Sequence, residues 1–404
     1  GGVLYNMIIN KAYKTELQVN NKLATYFEGC AGYARFVYNW ALDYWIKEYE
    51  RGDKRTGWMK LNTELTKLKE TEFKWMYDYS NWIRVYAIRN CDQAYQNFFR
   101  RVKQGKKPGF PKFKSKKRSR KTFTINGEGV KVTETKIRLP RVGWVNIKEH
   151  GYIPTNKKIV SATISESCGR WYISVVIEEE MPEAAKPEKV IGVDLGIKTL
   201  AVTSDGVFYE NPKTLYKAEK RLKRLDRRLS RKQKGSKNRE KAKLIRAKAY
   251  QKVARIRNHV LNEITTELAK SKQILVLEDL NVAGMQKNHH LARSISDASW
   301  SMFRSMLEYK CHWYGSELVI VNPAYTSQTC SNCGAIKSDL TLEDRTYKCE
   351  CGLEIDRDLN AAINIKNRAK HAQINNACGE ERKTSRVPLA ASLKQEAGCE
   401  ISYA

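Results

Sequence analysis

KVIGVDLGIKTLAVTSDG (residues 189–206) and QILVLEDLN (residues 273–281) are the two stretches that decide the fold of this chain. Each contains an apolar run that is short for a helix and typical of a strand buried on both faces. Asp194 ends the first run, where Gly196 lets the chain turn into a second strand, and Glu278 ends the other run. Residues 190–322 alternate strand, strand, long helix, strand, helix and strand, which predicts an α/β domain. We therefore expect both carboxylates to emerge at a sheet edge.

A third acidic residue, Asp358, begins the helical stretch DLNAAINIKNRA seven residues after Cys351. Each acid alone has an ordinary explanation: Asp194 as a turn residue, Glu278 as an exposed strand end and Asp358 as a helix N-cap. Phosphodiester hydrolysis by two Mg²⁺ ions about 3.5–4 Å apart needs clustered carboxylates, because hard cations prefer oxygen ligands. Together the three acids predict a catalytic site that holds two Mg²⁺ ions.

Four cysteines have the spacing of a zinc site. Cys330 and Cys333 form a C-x-x-C pair, Cys349 and Cys351 form a C-x-C pair, and a glycine follows each pair and permits a tight turn. Four thiolates without an imidazole predict one closed, structural Zn²⁺ site. The second pair departs from the commoner C-x-x-C spacing.

The composition points to a nucleic-acid partner. The 404 residues include 74 Lys and Arg against 44 acidic residues, which gives a formal charge of +30 and a pI near 9.7. Such an excess calls for a polyanion. No apolar run approaches the ~20 residues of a membrane helix, and ten cysteines are sparse for a secreted disulfide scaffold. We expect a cytoplasmic protein without a membrane partner, and the Gly1-Gly2 start resembles an expression scar.

The N-terminal part is predicted to be helical over residues 15–100, with apolar faces in residues 18–49 and 80–102. We expect the aromatic stripes there to pack in a core rather than stack on bases. Residues 100–121 then form a loop or extended arm with twelve basic residues and no acid, interleaved by Phe110 and Phe113. This pattern favours phosphate contact over a solvated face. The predicted contacts are Lys103, Lys106, Lys107, Lys112, Lys114, Lys116, Lys117, Arg118 and Arg120.

Two further patterns complete the chain. Residues 122–180 switch to a period of two with a hairpin turn at Cys168-Gly169, which predicts a small antiparallel barrel, and residues 181–189 are typical of a linker. Residues 213–257 carry twenty basic residues and three acids, and the interruption at 234–238 predicts a helical hairpin. Its predicted phosphate contacts are Arg221, Arg224, Arg227, Arg228 and Arg231.

With these motifs in place, the chain resembles the TnpB nucleases of insertion sequences and, behind them, the compact type V CRISPR effectors. The resemblance reaches to about residue 372 and rests on the following motifs: D-x-G at 194–196, E-x-L-N at 278–281, the cysteine pairs, D-R-D-L-N-A-A at 356–362, KAYKTELQVNNK and ARFVYNWAL. In the D-R-D motif the catalytic acid of the family corresponds to Asp358, which leaves Asp356 as support.

The resemblance implies a multidomain fold that is α/β plus β-barrel plus helical: a ribonuclease H-like RuvC nuclease domain with an inserted zinc ribbon, a wedge-type barrel and a helical recognition domain. The implied boundaries are 1–14 and 119–184 for the wedge, 15–118 for the recognition domain, 185–322 and 354–374 for RuvC, 323–353 for the ribbon and 375–404 for a tail. It also implies a transposon-derived guide RNA, in a complex of one or two protein copies per RNA.

The function expected on this basis is RNA-guided cleavage of double-stranded DNA beside a short flanking motif, in a single RuvC site. Three alternatives remain open at this point. A compact CRISPR effector would differ only in its genomic neighbourhood. A nuclease-inactive, RNA-guided repressor is disfavoured by the intact acids, and a transposase in the strict sense lacks a separate Tyr or Ser nucleophile motif.

Overall fold

The computed structural model has two compact units: an N-terminal unit, Ile8–Glu180, and a C-terminal unit that begins at Met181. It describes residues 7–181, 189–271, 273–288, 291–340 and 344–376, with side chains described up to residue 369. The Gly1-Gly2 start therefore lies outside the described residues, as do most of the predicted linker and nearly all of the tail from residue 375.

The N-terminal unit contains a strand and three helices ahead of its sheet region: β1 (Met7–Leu17), α1 (Asn21–Glu50), α2 (Trp58–Thr71) and α3 (Asn81–Lys103). The predicted helical region is confirmed except at its start, which belongs to β1. The Asn20 side chain accepts a hydrogen bond from the Leu23 amide at 2.9 Å, and α1 begins after this cap. Phe27, Tyr33 and Trp45 are fully buried, so the aromatic stripe of α1 packs in the core as predicted.

The remaining strands of this unit are β2 (Thr122–Asn126), β3 (Lys131–Val132), β4 (Lys136–Leu139), β5 (Gly143–Asn146), β6 (Ile159–Ser167) and β7 (Arg170–Met181). The hairpin turn at Cys168 and Gly169 is confirmed, with φ of 53° and 78°, as a two-residue hairpin turn requires. The strands form two sheets, in the orders β1-β7-β6-β2 and β3-β4-β5.

The predicted barrel is not closed in the described part of the chain. A single bridge, Leu17 to Ile147, connects the two sheets. Closure would require β2 to pair with β3, but a tight turn at Gly127–Gly129 separates them and β3 is only two residues long. Such a short strand offers too few backbone groups for a continuous ladder.

The C-terminal unit is built on a five-stranded sheet in the order β10-β9-β8-β11-β12. Its strands are β8 (Val190–Leu195), β9 (Thr199–Thr203), β10 (Phe208–Glu210), β11 (Ile274–Glu278) and β12 (Glu317–Val321). Strands β8, β9 and β10 are antiparallel neighbours, whereas β11 runs parallel to both β8 and β12. The predicted α/β order is confirmed, and β10 is an additional short strand.

The helices and small strands of this unit are α4 (Thr214–Ser230), α5 (Lys237–Lys270), α6 (Val282–Met285), α7 (Ala292–Ala298), α8 (Trp300–Tyr314), β13 (Thr346–Lys348), β14 (Glu354–Asp356) and α9 (Arg357–Asn376). Helices α4 and α5 form the predicted hairpin, and Ser236 caps α5 through the Arg239 amide at 3.1 Å. Across the described ranges, no helix is long and apolar enough to span a membrane.

The two faces of the sheet are covered by different helices. Leu275 and Leu277 belong to one apolar cluster with α5 and α8, whereas Ile274 and Val276 pack with Ile365 of α9 on the opposite face. Alternate residues of a strand point to opposite faces. The residue after Leu277 therefore points to the α9 face, and this residue is Glu278.

Candidate active site and metal centre

Two of the three predicted acids lie side by side on neighbouring strands. Strands β8 and β11 pair in parallel with Val193 opposite Leu277, so Asp194 and Glu278 follow at the same level of the sheet. Val193 packs with the α5 and α8 cluster, which directs Asp194 to the α9 face, the face of Glu278. Because Asp194 and Glu278 lie at the same level of the sheet and on the same face, their carboxylates are neighbours.

The third acid comes from α9, which packs directly on β8 at Gly192. A Cβ atom at Gly192 would stand 2.0 Å from the carbonyl oxygen of Ala362 and 2.6 Å from the amide nitrogen of Lys366. Only glycine permits this approach of helix to strand. The first turn of α9 therefore lies over the carboxyl end of β8, and Asp358 is in that turn.

The N-cap of α9 is Asp356. Its Oδ1 accepts hydrogen bonds from the amides of Asp358 at 2.9 Å and Leu359 at 3.1 Å. The ordinary explanation of Asp358 as an N-cap therefore does not hold, and its carboxylate is not engaged in capping.

The three carboxyl groups have raised pKa values. Burial and the negative charges of Glu278 and Asp358 raise the pKa of Asp194 well above its usual range. Burial raises the pKa of Glu278 despite a hydrogen bond from Thr326. Burial, followed by the neighbouring Asp356 carboxylate, raises the pKa of Asp358. Burial and like charge therefore disfavour the ionised forms of these groups, and a bound cation would offset both.

The four predicted cysteines meet in the ribbon. Their Sγ atoms all lie within 4.8 Å of one another, with separations of 3.7 Å for Cys330–Cys351 and 3.6 Å for Cys333–Cys349. A tetrahedral ion with ~2.3 Å bonds to sulfur implies sulfur separations of about 3.8 Å. Both glycines that follow the pairs have positive φ, 79° and 86°, as their predicted turns require. Among the described residues, no set of three or more carboxylates has its oxygen atoms as close together as these sulfur atoms.

Sequence reasoning missed the side chains that join the ribbon to the acids. Thr326 is buried and donates from Oγ1 to Glu278 Oε1. Asn364 Nδ2 donates to the carbonyl oxygens of Thr326 at 2.9 Å and Thr329 at 2.6 Å, and Asn360 Nδ2 donates to that of Thr329 at 2.8 Å. The i, i+4 spacing of the two asparagines on a buried helix face was the available signal.

A guanidinium reinforces the same junction. Arg368 of α9 donates to the backbone carbonyl oxygens of Asn322 and Ala324, and its charge favours the ionised form of Glu278. The segment between β12 and the first cysteine pair is therefore fixed to α9 at several points.

The arm predicted from residue 100 begins inside α3, which runs to Lys103, and it is mostly irregular only from residue 104 to residue 120. Its predicted contact residues are exposed except Lys114, whose ammonium lies 3.7 Å from the centroid of the Tyr38 ring. Asn39 fixes the arm to α1 through two hydrogen bonds with the Lys114 backbone, at 2.9 and 2.8 Å. The arm thus presents its other cations to solvent from an anchored backbone.

The predicted cations of the α4–α5 hairpin share one exposed surface. Leu222 and Leu225 are buried, whereas Arg221, Arg224, Arg227, Arg228 and Arg231 are all exposed. A surface groove along α4 is lined by cations only, namely Lys220, Lys223, Arg224, Arg227, Arg228, Arg231 and Lys232. This surface is suited to a polyanion.

Comparison with known families identifies three segments. Residues 172–289 match the OrfB_IS605 family, described as "Probable transposase", and residues 300–365 match the Cas12f1-like TNB domain. Residues 7–54 match the helix-turn-helix domain of OrfB_IS605. In this structure residues 7–54 consist mainly of β1 and α1.

Relatives match along nearly the whole chain. An RNA-guided DNA endonuclease of Streptomyces pristinaespiralis is 32% identical, covering 96% of each chain. InsQ of Escherichia coli K12, also named an RNA-guided DNA endonuclease, is 34% identical, covering 96% of this chain and 97% of its own. In fold, the chain is similar to Cas12f1 solved with sgRNA and target DNA, with a TM-score of 0.58, 15% identity and coverage of 90% of this chain and 99% of that one. It is similar in fold to CRISPR-Cas_phi3 as well, with a TM-score of 0.50, 10% identity and coverage of 89% and 92%.

Proposed function

The chain belongs to the TnpB family of RNA-guided DNA endonucleases, and on that premise we propose that Asp194, Glu278 and Asp358 form its single cleavage site. The observation that carries the proposal is the in-register pairing of β8 with β11, with α9 packed on the same face at Gly192. This arrangement supports the proposal, because it directs acids from distant parts of the sequence to the same face and the same end of the sheet.

The donor set suits hard divalent cations such as Mg²⁺. Oxygen ligands are the ones Mg²⁺ prefers. Burial raises the pKa of all three carboxyl groups, and neighbouring carboxylates raise those of Asp194 and Asp358 further, so a cation would be favoured here. When bound, two such ions would neutralise the charge that develops on the scissile phosphate and activate the attacking water. Asp194, Glu278 and Asp358 would hold them.

The chain's own contribution is preorganisation. Asp194 and Glu278 are fixed by the sheet, and Asp358 is fixed by the capped first turn of α9. Thr326 orients the carboxylate of Glu278 by donating to Oε1. Carboxylates held in this way need no rearrangement as the substrate phosphate reacts.

The remaining parts have proposed roles in the same reaction. The four cysteines would hold one structural Zn²⁺ ion, which stabilises the ribbon. The sheets and helices of the N-terminal unit would serve as wedge and recognition domains for a transposon-derived guide RNA. Base pairing would select a double-stranded DNA target beside a short flanking motif, and the basic arm and the α4 surface would contact backbone phosphates.

The test is cleavage of a matched DNA duplex by the protein co-expressed with the RNA transcribed from the 3′ end of its gene. Glu278→Gln should lower the cleavage rate by at least ~10²–10³-fold, while RNA binding is retained. Asp279→Asn is the matched control, because Asp279 is the next residue but is exposed and paired with Arg304 at 2.6 Å. Asp279→Asn should cleave within a few-fold of the wild type.

Two outcomes would contradict the proposal. Cleavage that survives Asp194→Ala, Glu278→Ala and Asp358→Ala, each alone, would show that the site is elsewhere. Guide-dependent DNA binding by the wild type without metal-dependent cleavage would instead support a nuclease-inactive binder.

A further inference from the structure

Three basic side chains from separate elements of the N-terminal unit meet around Tyr77. Lys69 of α2 places Nζ 3.7 Å from the centroid of the Tyr77 ring. Arg141, in the turn between β4 and β5, donates from Nη1 to the Tyr77 carbonyl oxygen at 2.8 Å. Arg84 of α3 belongs to the same cluster, because it lies one turn after Asn81, which accepts from Lys69 Nζ, and its own Nε donates to Asn62, two turns before Lys69 on α2.

The cluster has no carboxylate partner among the described residues. Lys69 Nζ donates to Asn81 Oδ1 at 2.8 Å, and Arg84 Nε donates to Asn62 Oδ1 at 3.0 Å, so both contacts are to neutral amides. Glu70, the next residue of α2, acts on Lys69 through its charge but is exposed and forms no ion pair with it. The three positive charges therefore remain without a bonded counter-charge.

Arg84 gives the second, independent observation. The residue is only 6% exposed, yet its Nη1 atom has no hydrogen-bond partner. A buried guanidinium nitrogen without a partner is costly, because its desolvation is not repaid by another contact. An anion bound among the three cations would supply the missing acceptor and the missing charge.

The backbone at Arg141 supports a functional reason for this residue. Its φ is 64°, in the left-handed region where glycine or asparagine is the usual choice. Glycine or asparagine would form this turn with less strain, so the presence of an arginine points to a role for its side chain.

The surroundings favour a nucleic acid over a free inorganic anion. The Tyr77 ring is 49% exposed, and Trp75 in the same short 3₁₀ turn is 39% exposed. Exposed aromatic faces beside cations suit the bases or sugars that adjoin a phosphate. Arg141 also lines a surface groove with Lys131, Arg138 and Glu128, so the basic surface extends beyond the cluster.

We propose that Lys69, Arg84 and Arg141 form a phosphate site that binds one phosphodiester group of a nucleic-acid strand, with its neighbouring nucleotide against the exposed ring of Tyr77. This proposal rests on the proposed function, under which two nucleic acids could offer the phosphodiester group: the guide RNA and the target DNA. It assigns a specific anchoring point to residues outside both the basic arm and the α4 surface.

The experiment measures the salt dependence of binding in two arms: the full-length protein with its guide RNA, and the guide-loaded complex with its target duplex. The variants are Arg141→Gln and Arg141→Gly, because glycine removes the charge while it relieves the positive φ and keeps the fold. Loss of one phosphate contact should reduce the slope of log K against log salt by about 0.9 on duplex DNA or about 0.7 on single strands.

Arg170→Gln is the matched control. Arg170 is an exposed arginine of the same unit, but it is already paired with Glu16 at 3.1 Å, so its loss should leave both slopes unchanged. A reduced slope confined to the RNA arm would identify the guide as the ligand, and one confined to the DNA arm would identify the target.

If both Arg141 variants kept the wild-type slope of log K against log salt in both arms, the proposed phosphate site would be wrong, even if cleavage were intact. Absence of guide-dependent cleavage by the wild-type protein would instead count against the proposed function. The two failures are therefore distinguishable.

Discussion

The thiol cluster of the ribbon and the carboxylate cluster of the sheet are two candidate metal sites built in opposite ways. The four cysteines lie within 22 consecutive residues, Cys330–Cys351, and two local turns bring their Sγ atoms within 4.8 Å. The three acids come from β8, β11 and α9 and are separated by more than 160 residues from first to last. One site is made by local turns and the other by tertiary packing.

This difference has an energetic counterpart. Thiols of a closed site can meet in the neutral form and release protons when zinc binds. The acids are half-buried, and their raised pKa values express the free energy that must be offset before all three ionise. The ribbon should therefore depend on its ion for folding, whereas the sheet should keep the acids in place without an ion.

Among variants that leave the three acids in place, the largest expected effect tests whether the ribbon supports the acids. Cys330→Ser should remove the proposed zinc ion, and a structural zinc site of this kind unfolds without its ion. The contacts from this segment to Glu278 would then be lost. We expect the cleavage rate to fall by about 10–100-fold or more, because the loss of groups that orient metal ligands has effects of this size. Zinc content by elemental analysis and the cleavage rate provide the measurement.

Cys311→Ala is the control for this variant. Cys311 is a buried thiol of α8 outside the cluster, so the substitution should cost some stability while zinc content and cleavage remain. Full cleavage by zinc-free Cys330→Ser protein would mean that the two sites are independent.

The next effect breaks the carboxylate site through packing alone. Gly192→Ala introduces a Cβ that must displace α9 from β8, so we expect a loss of about 1–3 kcal/mol of unfolding free energy together with a severe loss of cleavage. Gly32→Ala in α1 is the control, since its Cβ would lie 3.8 Å from Arg35 Nη2, which is an ordinary van der Waals contact. Thermal unfolding and cleavage assays would separate the two, and unchanged cleavage in Gly192→Ala would contradict this account of the site.

The same contrast explains what could be predicted from the sequence. Regular spacing was sufficient to predict that the four cysteines meet and that the glycines after them form tight turns. It was also sufficient to predict the α4–α5 hairpin. The ends of the apolar runs were sufficient to place Asp194 and Glu278 near the carboxyl ends of buried strands, because a buried strand leaves little choice of geometry.

What the sequence did not predict depends on tertiary contacts. The open arrangement of the N-terminal sheets is set by the turn at Gly127–Gly129, which has no periodic signature. The cap role of Asp356 could not be separated from that of Asp358, since both acids precede or begin the same helix. Thr326 is one hydroxyl in a polar loop, and its role is visible only when Glu278 is found beside it.

A moderate effect sharpens the link between the two clusters. Thr326→Val keeps the shape of the side chain but removes the hydrogen bond to Glu278 Oε1. We expect a cleavage rate about 10-fold lower, because a bond to a charged group contributes about 1.5–3 kcal/mol and about 1.4 kcal/mol is tenfold in rate. Thr326→Ser should restore most of the rate. Zinc content should be normal in both variants, and equal rates for valine and serine would remove Thr326 from the account.

The smallest effect separates the capping acid from the proposed catalytic one. Asp356→Ala removes the side chain that accepts from the Asp358 and Leu359 amides, which should cost about 1 kcal/mol of stability by thermal unfolding. Cleavage should fall only a few-fold, and Asp356→Ser should recover both properties, because a hydroxyl oxygen can also cap a helix. Asp358→Ser should show the opposite pattern: stability close to that of the wild type and no cleavage. If the two positions instead lost cleavage to the same extent, Asp356 would belong to the carboxylate cluster, and the cluster would contain four acids rather than three.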